Sequence, residues 1–145
     1  LSKVCKPHTV ETPQICTLES YANVHHLVST VTGELQDGKT AIDLLAACFP
    51  GGAITGAPKI RAMEIITELE GSTRGAYCGA IGFIGFDGSM DTNIAIRSIC
   101  VNGGRMAFSV GGGIVADSTP AAEYDETLVK AAKIFEALGI NPDAL

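Results

Sequence analysis

Glu123 and Glu126 stand three residues apart, and Lys130 lies four beyond Glu126. On a helix, positions three and four apart share a face, so two carboxylates and an ammonium point one way. Like charges this close repel unless a cation or a proton joins them, and two carboxylates with substrate oxygens and waters suit a hard ion such as Mg²⁺. The pair would serve equally as a solvated acidic first turn favoured by the helix dipole, and the spacing alone does not choose.

Those side chains need a helix that starts just ahead of them. Gly111-Gly112-Gly113 frees the backbone, Ile114-Val115-Ala116 leads out, and Ser118 or Thr119 before Pro120 is the order that opens a helix near Pro120. Its apolar residues Leu128, Ala131, Ala132, Ile134, Phe135 and Leu138 are expected to pack on a sheet and close the core. The glycine run also satisfies a loose dinucleotide pattern, GxGxxA. That pattern requires a second parallel strand with an acidic residue, and the chain instead runs through Gly139 to Pro142 and ends at Leu145, so a nicotinamide cofactor is not expected.

Before the glycines, Tyr77 to Val110 reads as an antiparallel meander. The strands are Ala80 to Phe86, Thr92 to Val101 and Met106 to Val110, turning at Asp87-Gly88-Ser89 and Asn102-Gly103. Gly79, Gly82 and Gly85 leave room for something packed close. On the middle strand, alternation places Arg97 with Asn93 and Ala95 on a mixed face. Its planar fork would grip an anionic ligand at two oxygens, or simply be solvated.

Further upstream, the β-branched run between Tyr21 and Leu35 predicts a strand on which His25 and His26 face opposite sides. Only one of them can face a given cleft, and a hydrogen-bonded structural histidine is the plain alternative. Asp37-Gly38 marks a turn. Thr40 caps a helix whose Ile42, Leu44, Leu45 and Phe49 are expected to look inward until Pro50-Gly51-Gly52 stops it. Pro58 begins another helix, striped by Ile60, Met63, Ile66 and Leu69 and closed by Gly71. The glycine loop before it fails as a Walker loop, because Ala57 follows Gly56 and Lys59 comes too late behind a proline. Residues 1–20 show no period and are expected to be an irregular or weakly extended lead-in segment.

The 145 residues, 46% hydrophobic, suffice for one globular unit, and no flexible linker divides them. A net charge of −6 argues against a nucleic-acid or anionic-membrane surface, although Lys59, Arg61, Arg97 and Lys130 could gather locally around an anion. Five cysteines without CxxC spacing read as reduced core residues of a cytoplasmic protein. No apolar run is long enough to span a bilayer. The chain begins at Leu1 without Met, so its true start is expected upstream.

Several ordered motifs together resemble the chorismate-utilising enzymes. They are His25-His26-Leu27-Val28-Ser29-Thr30, Phe49-Pro50-Gly51-Gly52, Thr55 to Glu64, Asp91 to Arg97, Gly111 to Ser118, and Glu123-Tyr124-Asp125-Glu126-Thr127. The likeness spans about residues 21–138 and is closest to the aminodeoxychorismate-forming, para-aminobenzoate branch, with the anthranilate-forming branch as alternative. It implies an α/β fold of the α+β type, an antiparallel sheet layered with helices. It also implies that residues 1–145 are a partial chorismate-binding domain, its C-terminal half. The implied chemistry is a Mg²⁺-dependent displacement on chorismate, with ammonia from a glutamine amidotransferase subunit replacing the C4 hydroxyl.

Carried over by position, Glu126 is implied as a direct metal ligand and Glu123 as its neighbour that binds the ion directly or through water. Tyr77 and Arg97 are implied to bind the enolpyruvyl carboxylate beside the amides of Gly111, Gly112 and Gly113. Lys130 is implied as a cation near the substrate carboxylates, and His26, not His25, as the histidine beside the leaving group. Ala53 stands where relatives carry Thr or Ser, which removes a hydroxyl from the expected contacts. A reading of another class is a non-catalytic fold fragment that self-associates, as a homodimer or swapped dimer, through edges the rest of the domain would cover.

Overall fold

The computed structural model describes residues 1–21 and 25–141. Val24, which the sequence places in the first predicted strand, and Pro142 to Leu145 lie outside the described residues. Backbone contacts divide the chain into two compact units. One takes Leu1–Phe49 and Phe83–Asp91, the other Pro50–Gly82 and Thr92–Leu145. The division follows no linker, since each unit draws on two separate stretches of chain.

In the first unit, β1 (Glu11–Ser20) pairs antiparallel with β2 (His25–Thr32), and Cys5 bridges to Leu35. Of the irregular or weakly extended lead-in expected for residues 1–20, the second half is thus extended and paired as a strand. β1 is exposed along its whole length, so no hydrophobic period marks it, and its register shifts between Glu11 and Gln14 and again between Gln14 and Thr17. Pro13, which cannot donate to a ladder, falls in the first of these irregular stretches.

The turn at Gly38 (φ +78°) leads into α1 (Ala41–Cys48). Thr40 and Asp43 form a reciprocal capping box, each side chain taking the other's backbone N–H. Leu44 and Leu45 are half-buried as their spacing suggests, but Ile42 remains 63% exposed and Phe49 is exposed too. Among the described residues of this unit, Val4 and Cys5 are the buried apolar ones.

In the second unit, a four-residue turn of helix that the sequence pattern did not reveal, α2 (Gly52–Thr55), precedes α3 (Lys59–Glu70). Pro58 stands at the N-cap of α3 and Gly71 (φ +60°) ends it in the left-handed conformation. The apolar stripe of α3 is not buried here: Ile60 is 75% and Leu69 80% exposed, and only Ile66 among the stripe residues is half-buried.

β3 (Ala80–Ile84) and β4 (Met90–Ile94) form one hairpin; β5 (Ile99–Asn102) and β6 (Arg105–Phe108) form a second, antiparallel one. The expected three-stranded meander is therefore two separate ribbons. Cys78 N–H to Ala95 O (2.9 Å) and Ala95 N–H to Gly79 O (2.8 Å) carry the first ribbon beyond its named strands. The strand then breaks at residues 95–98, where Arg97 takes φ +52°, so Arg97 is not a strand residue sharing a face with Asn93. Nor is the room at Gly85 free for another element, because Asp87 and Ser89 of its own turn fill it.

α4 (Pro120–Leu138) starts where expected, with Thr119 as N-cap, Pro120 in the first turn and Gly139 (φ +65°) as C-cap. Ala131 and Ile134 are buried on it, with Ala95 of the strand break the other buried apolar residue of the unit. Phe135 meets Phe108 of β6 edge-on, ring centroids 5.4 Å apart. Leu128 and Ala132 are more exposed than a core role predicts. All five cysteines are free thiols, and only Cys5 is buried; Cys16 and Cys100 are exposed, which corrects their assignment to the core. No single helix among the described residues is long and apolar enough to cross a membrane.

Candidate active site

Thr119 and Pro120 fix where α4 begins, and that start decides which way the acidic residues point. Thr119 accepts the N–H of Ala122 (3.4 Å), and the Glu123 N–H closes the first turn on Thr119 O (3.0 Å). Glu123 and Glu126 then lie on the side facing the glycine run. A Cβ built on Gly112 would stand 2.9 Å from Glu123 Oε2 and 3.7 Å from Glu126 Oε1, so any side chain there would push the Glu123 carboxylate aside.

The two carboxylates are held differently. Glu126 pairs with Lys130 one turn on, and the Lys130 ammonium also donates to Gly111 O (3.2 Å), tying helix to loop. Glu123 Oε1 accepts a hydrogen bond from the Ser118 hydroxyl, while its Oε2 is buried with no hydrogen-bond partner among the described residues. A buried carboxylate oxygen left unpaired is costly, and a cation is the partner that best satisfies it. Among the described residues no three His, Cys, Asp or Glu side chains converge. The donors present fit a hard divalent ion held at two carboxylates, its other positions being left to substrate oxygens and water.

On the other side of the glycine run, a Cβ on Gly111 would lie 2.9 Å from the Tyr77 hydroxyl. Tyr77 is half-buried, and burial first, then the neighbouring Cys78 thiol, pushes its phenol above the ordinary value, with Arg74 pulling the other way. Arg74 lies 5.7 Å from the centre of the Tyr77 ring, and Glu70 holds it by two hydrogen bonds (2.8 and 2.6 Å). Its third contact is the Cys78 Sγ at 3.5 Å.

Six of the expected residues thus meet in the second unit: Tyr77, Gly111, Gly112, Glu123, Glu126 and Lys130. Gly113 belongs to the same run, with nothing within 4 Å of a Cβ built there. Arg97 is exposed and, among the described residues, has neither hydrogen bond nor ion pair. His26 belongs to the first unit, where it is half-buried with the Tyr21 ring edge-on at 5.8 Å. His25 is on the opposite, exposed side of β2, its Nδ1 3.0 Å from Ser20 Oγ, as the strand's alternation predicts. Two residues of the arrangement were missed as such in the sequence. Ser118 stands out there only as a capping candidate, and Arg74 lies in an irregular turn without any period.

Residues 1–136 match the profile of the chorismate binding enzyme family. The chain is 51% identical over 138 residues to aminodeoxychorismate synthase component 1 of Salmonella typhimurium, covering 95% of this chain and 30% of that protein. It is 47% identical over 140 residues to anthranilate synthase component 1 of Pseudomonas putida, covering 97% of this chain and 28% of that one. Among solved structures, anthranilate synthase component I of Streptococcus pneumoniae TIGR4 superimposes with a TM-score of 0.86 at 41% identity, over 92% of this chain and 31% of that chain. The α+β arrangement of helices and paired strands is therefore that of these enzymes. The chain spans about 30% of the length of the curated relatives it matches.

Proposed function

We propose, from the premise that this chain belongs to the chorismate binding enzyme family, that it is the C-terminal portion of component I of an aminodeoxychorismate synthase. Its reaction is then the Mg²⁺-dependent amination of chorismate at C4 in the cytoplasm, toward para-aminobenzoate and folate, with ammonia supplied by a glutamine amidotransferase subunit. The observation that carries the reading is the Glu123 Oε2, buried and unpaired beside Glu126 above a glycine.

Glu123 and Glu126 would hold the Mg²⁺, which when bound supplies Lewis-acid polarisation of the substrate. Lys130, already anchored by Glu126 and the Gly111 carbonyl, presents a fixed ammonium to a substrate carboxylate. Tyr77 offers its hydroxyl at the edge of the same glycine run, where the backbone amides of Gly111, Gly112 and Gly113 can also meet an anion. Arg97, which has no partner among the described residues, takes the enolpyruvyl carboxylate through two parallel N–H donors of its guanidinium. In the amination itself the C4–O bond breaks and a C–N bond forms. The departing hydroxyl takes up a proton and leaves as water, and the incoming ammonia gives one up, so the protons balance.

The anthranilate branch is the second reading, favoured by the 47% identity to an anthranilate synthase component 1. A reading of another class, a chain that is non-catalytic alone and self-associates, is favoured by the exposed apolar residues Ile60 and Leu69 on α3. Mass-spectrometric product analysis of the complete protein with chorismate, Mg²⁺ and ammonium decides the chemistry. Aminodeoxychorismate is expected, and anthranilate would move the assignment to the other branch. The 145-residue chain assayed alongside is expected to give neither product and to run larger than a monomer by light scattering. Turnover by it would place a whole site within these residues, and a clean monomer would remove the self-association reading.

A further inference from the structure

Helix α4 is entered through a contact between Ser118, the residue before the N-cap, and Glu123, five residues later. That pair of positions is where many helices place two apolar side chains that clamp the incoming chain against the first turns. Here both members are polar, and the clamp is a hydrogen bond from Ser118 Oγ to Glu123 Oε1.

The serine has little freedom in what it donates to. Its hydroxyl oxygen accepts the Val115 N–H at 3.0 Å, while its own N–H closes a turn on Val115 O, also at 3.0 Å. A hydroxyl carries one proton, and with the oxygen fixed by Val115 that proton goes to the carboxylate. Glu123 Oε1 is thereby occupied, and Oε2, the buried oxygen without a partner, is the one turned over Gly112 and beside Glu126.

We propose that Ser118 is a positioning residue for the divalent cation: it holds the Glu123 carboxylate so that Oε2 alone is offered to the ion. The site's geometry is built into the start of the helix, because the contact that sets how the chain enters α4 also sets the rotation of the carboxylate. This rests on the proposed metal-binding role of Glu123 and Glu126, and it adds a residue that touches neither ion nor substrate.

Mn²⁺ binding to the complete protein, read from loss of the free-ion electron paramagnetic resonance signal without chorismate, tests it without any need for turnover. Ser118→Ala is expected to weaken Mn²⁺ binding by about ten-fold or more, the usual loss when a supporting partner of a metal ligand is removed. Ser118→Thr, which keeps the hydroxyl, is expected to restore most of the affinity. That recovery guards against a mere folding defect in the alanine variant. If Ser118→Ala binds like the wild type while Glu123→Gln does not, the ion is where we place it and Ser118 does not position its ligand. If Glu123→Gln and Glu126→Gln both bind like the wild type, the metal reading fails and this inference fails with it.

Discussion

Gly112 lies directly beneath the Glu123 carboxylate, so close that a Cβ on the glycine would stand 2.9 Å from Oε2. Its backbone is in a region open to any residue, so the demand for glycine there comes from the carboxylate above it. Gly112→Ala should therefore fold, since alanine can adopt the backbone, yet push Glu123 aside. We expect Mn²⁺ affinity to fall by about ten-fold or more with a small change in melting temperature. Unchanged affinity would show that the space over Gly112 is not the cation's.

Loss of the carboxylate charge at Glu126 should be more severe. Glu126→Gln removes half the charge that could neutralise a divalent ion and releases Lys130 from its ion pair. In the complete enzyme, Mg²⁺-dependent turnover of chorismate should drop by more than the ~100-fold that losing a supporting partner can cost. Near-normal turnover would remove Glu126 from the metal site.

The contact between Gly111 and Tyr77 predicts a compensating pair. Gly111→Ala brings a methyl to 2.9 Å from the phenol oxygen and should cost about 1–3 kcal/mol of stability by overpacking. Tyr77→Phe removes that oxygen, so the double variant should recover a large part of the loss in thermal unfolding. Additive losses in the two variants would show that the two groups do not meet.

Glu70 and Arg74 give a pH signature. Two hydrogen bonds from the guanidinium hold the Glu70 carboxyl below its ordinary value of 4.5. A carboxyl depressed in the folded state contributes stability above its unfolded value and loses it as the pH falls through the folded one. Between about pH 5 and about pH 3 the wild-type melting temperature should therefore fall more steeply than that of Glu70→Gln. The difference should be small, because the Glu70 side chain is 40% exposed and solvent screens the pair. Asp43, depressed by the N–H and hydroxyl of Thr40, and Asp87, depressed by Ser89, supply acid sensitivity that both proteins share. Identical slopes would mean that the pair adds nothing measurable.

What could be read from the residues was local. Thr40 before α1, Gly71 after α3 and the Thr119-Pro120 start of α4 were legible because a cap depends on neighbours in sequence. The shared face of Glu123, Glu126 and Lys130 followed from helical spacing for the same reason. β1 was not legible: it is exposed on both sides, carries Pro13, and is held by pairing with β2 alone. The run from Thr92 to Val101 looked like one strand because its residue types suit a strand throughout, and nothing in them announces a left-handed residue at 97. Gly112 beneath a carboxylate and Arg74 over a ring are meetings of separate segments, and spacing along the chain does not encode them.

Arg97 carries a consequence of its own. A side chain held at φ +52° costs about 1–2 kcal/mol that glycine would not pay in strain, and the break between the two ribbons keeps it there. Arg97→Gly should accordingly melt higher than the wild type while removing the guanidinium that we propose holds an anionic substrate. A library enriched solely for surviving heat would drift toward glycine or asparagine at this position and discard the guanidinium on the way. Durability and turnover pull one backbone angle in opposite directions, so a screen for either alone would misjudge this residue.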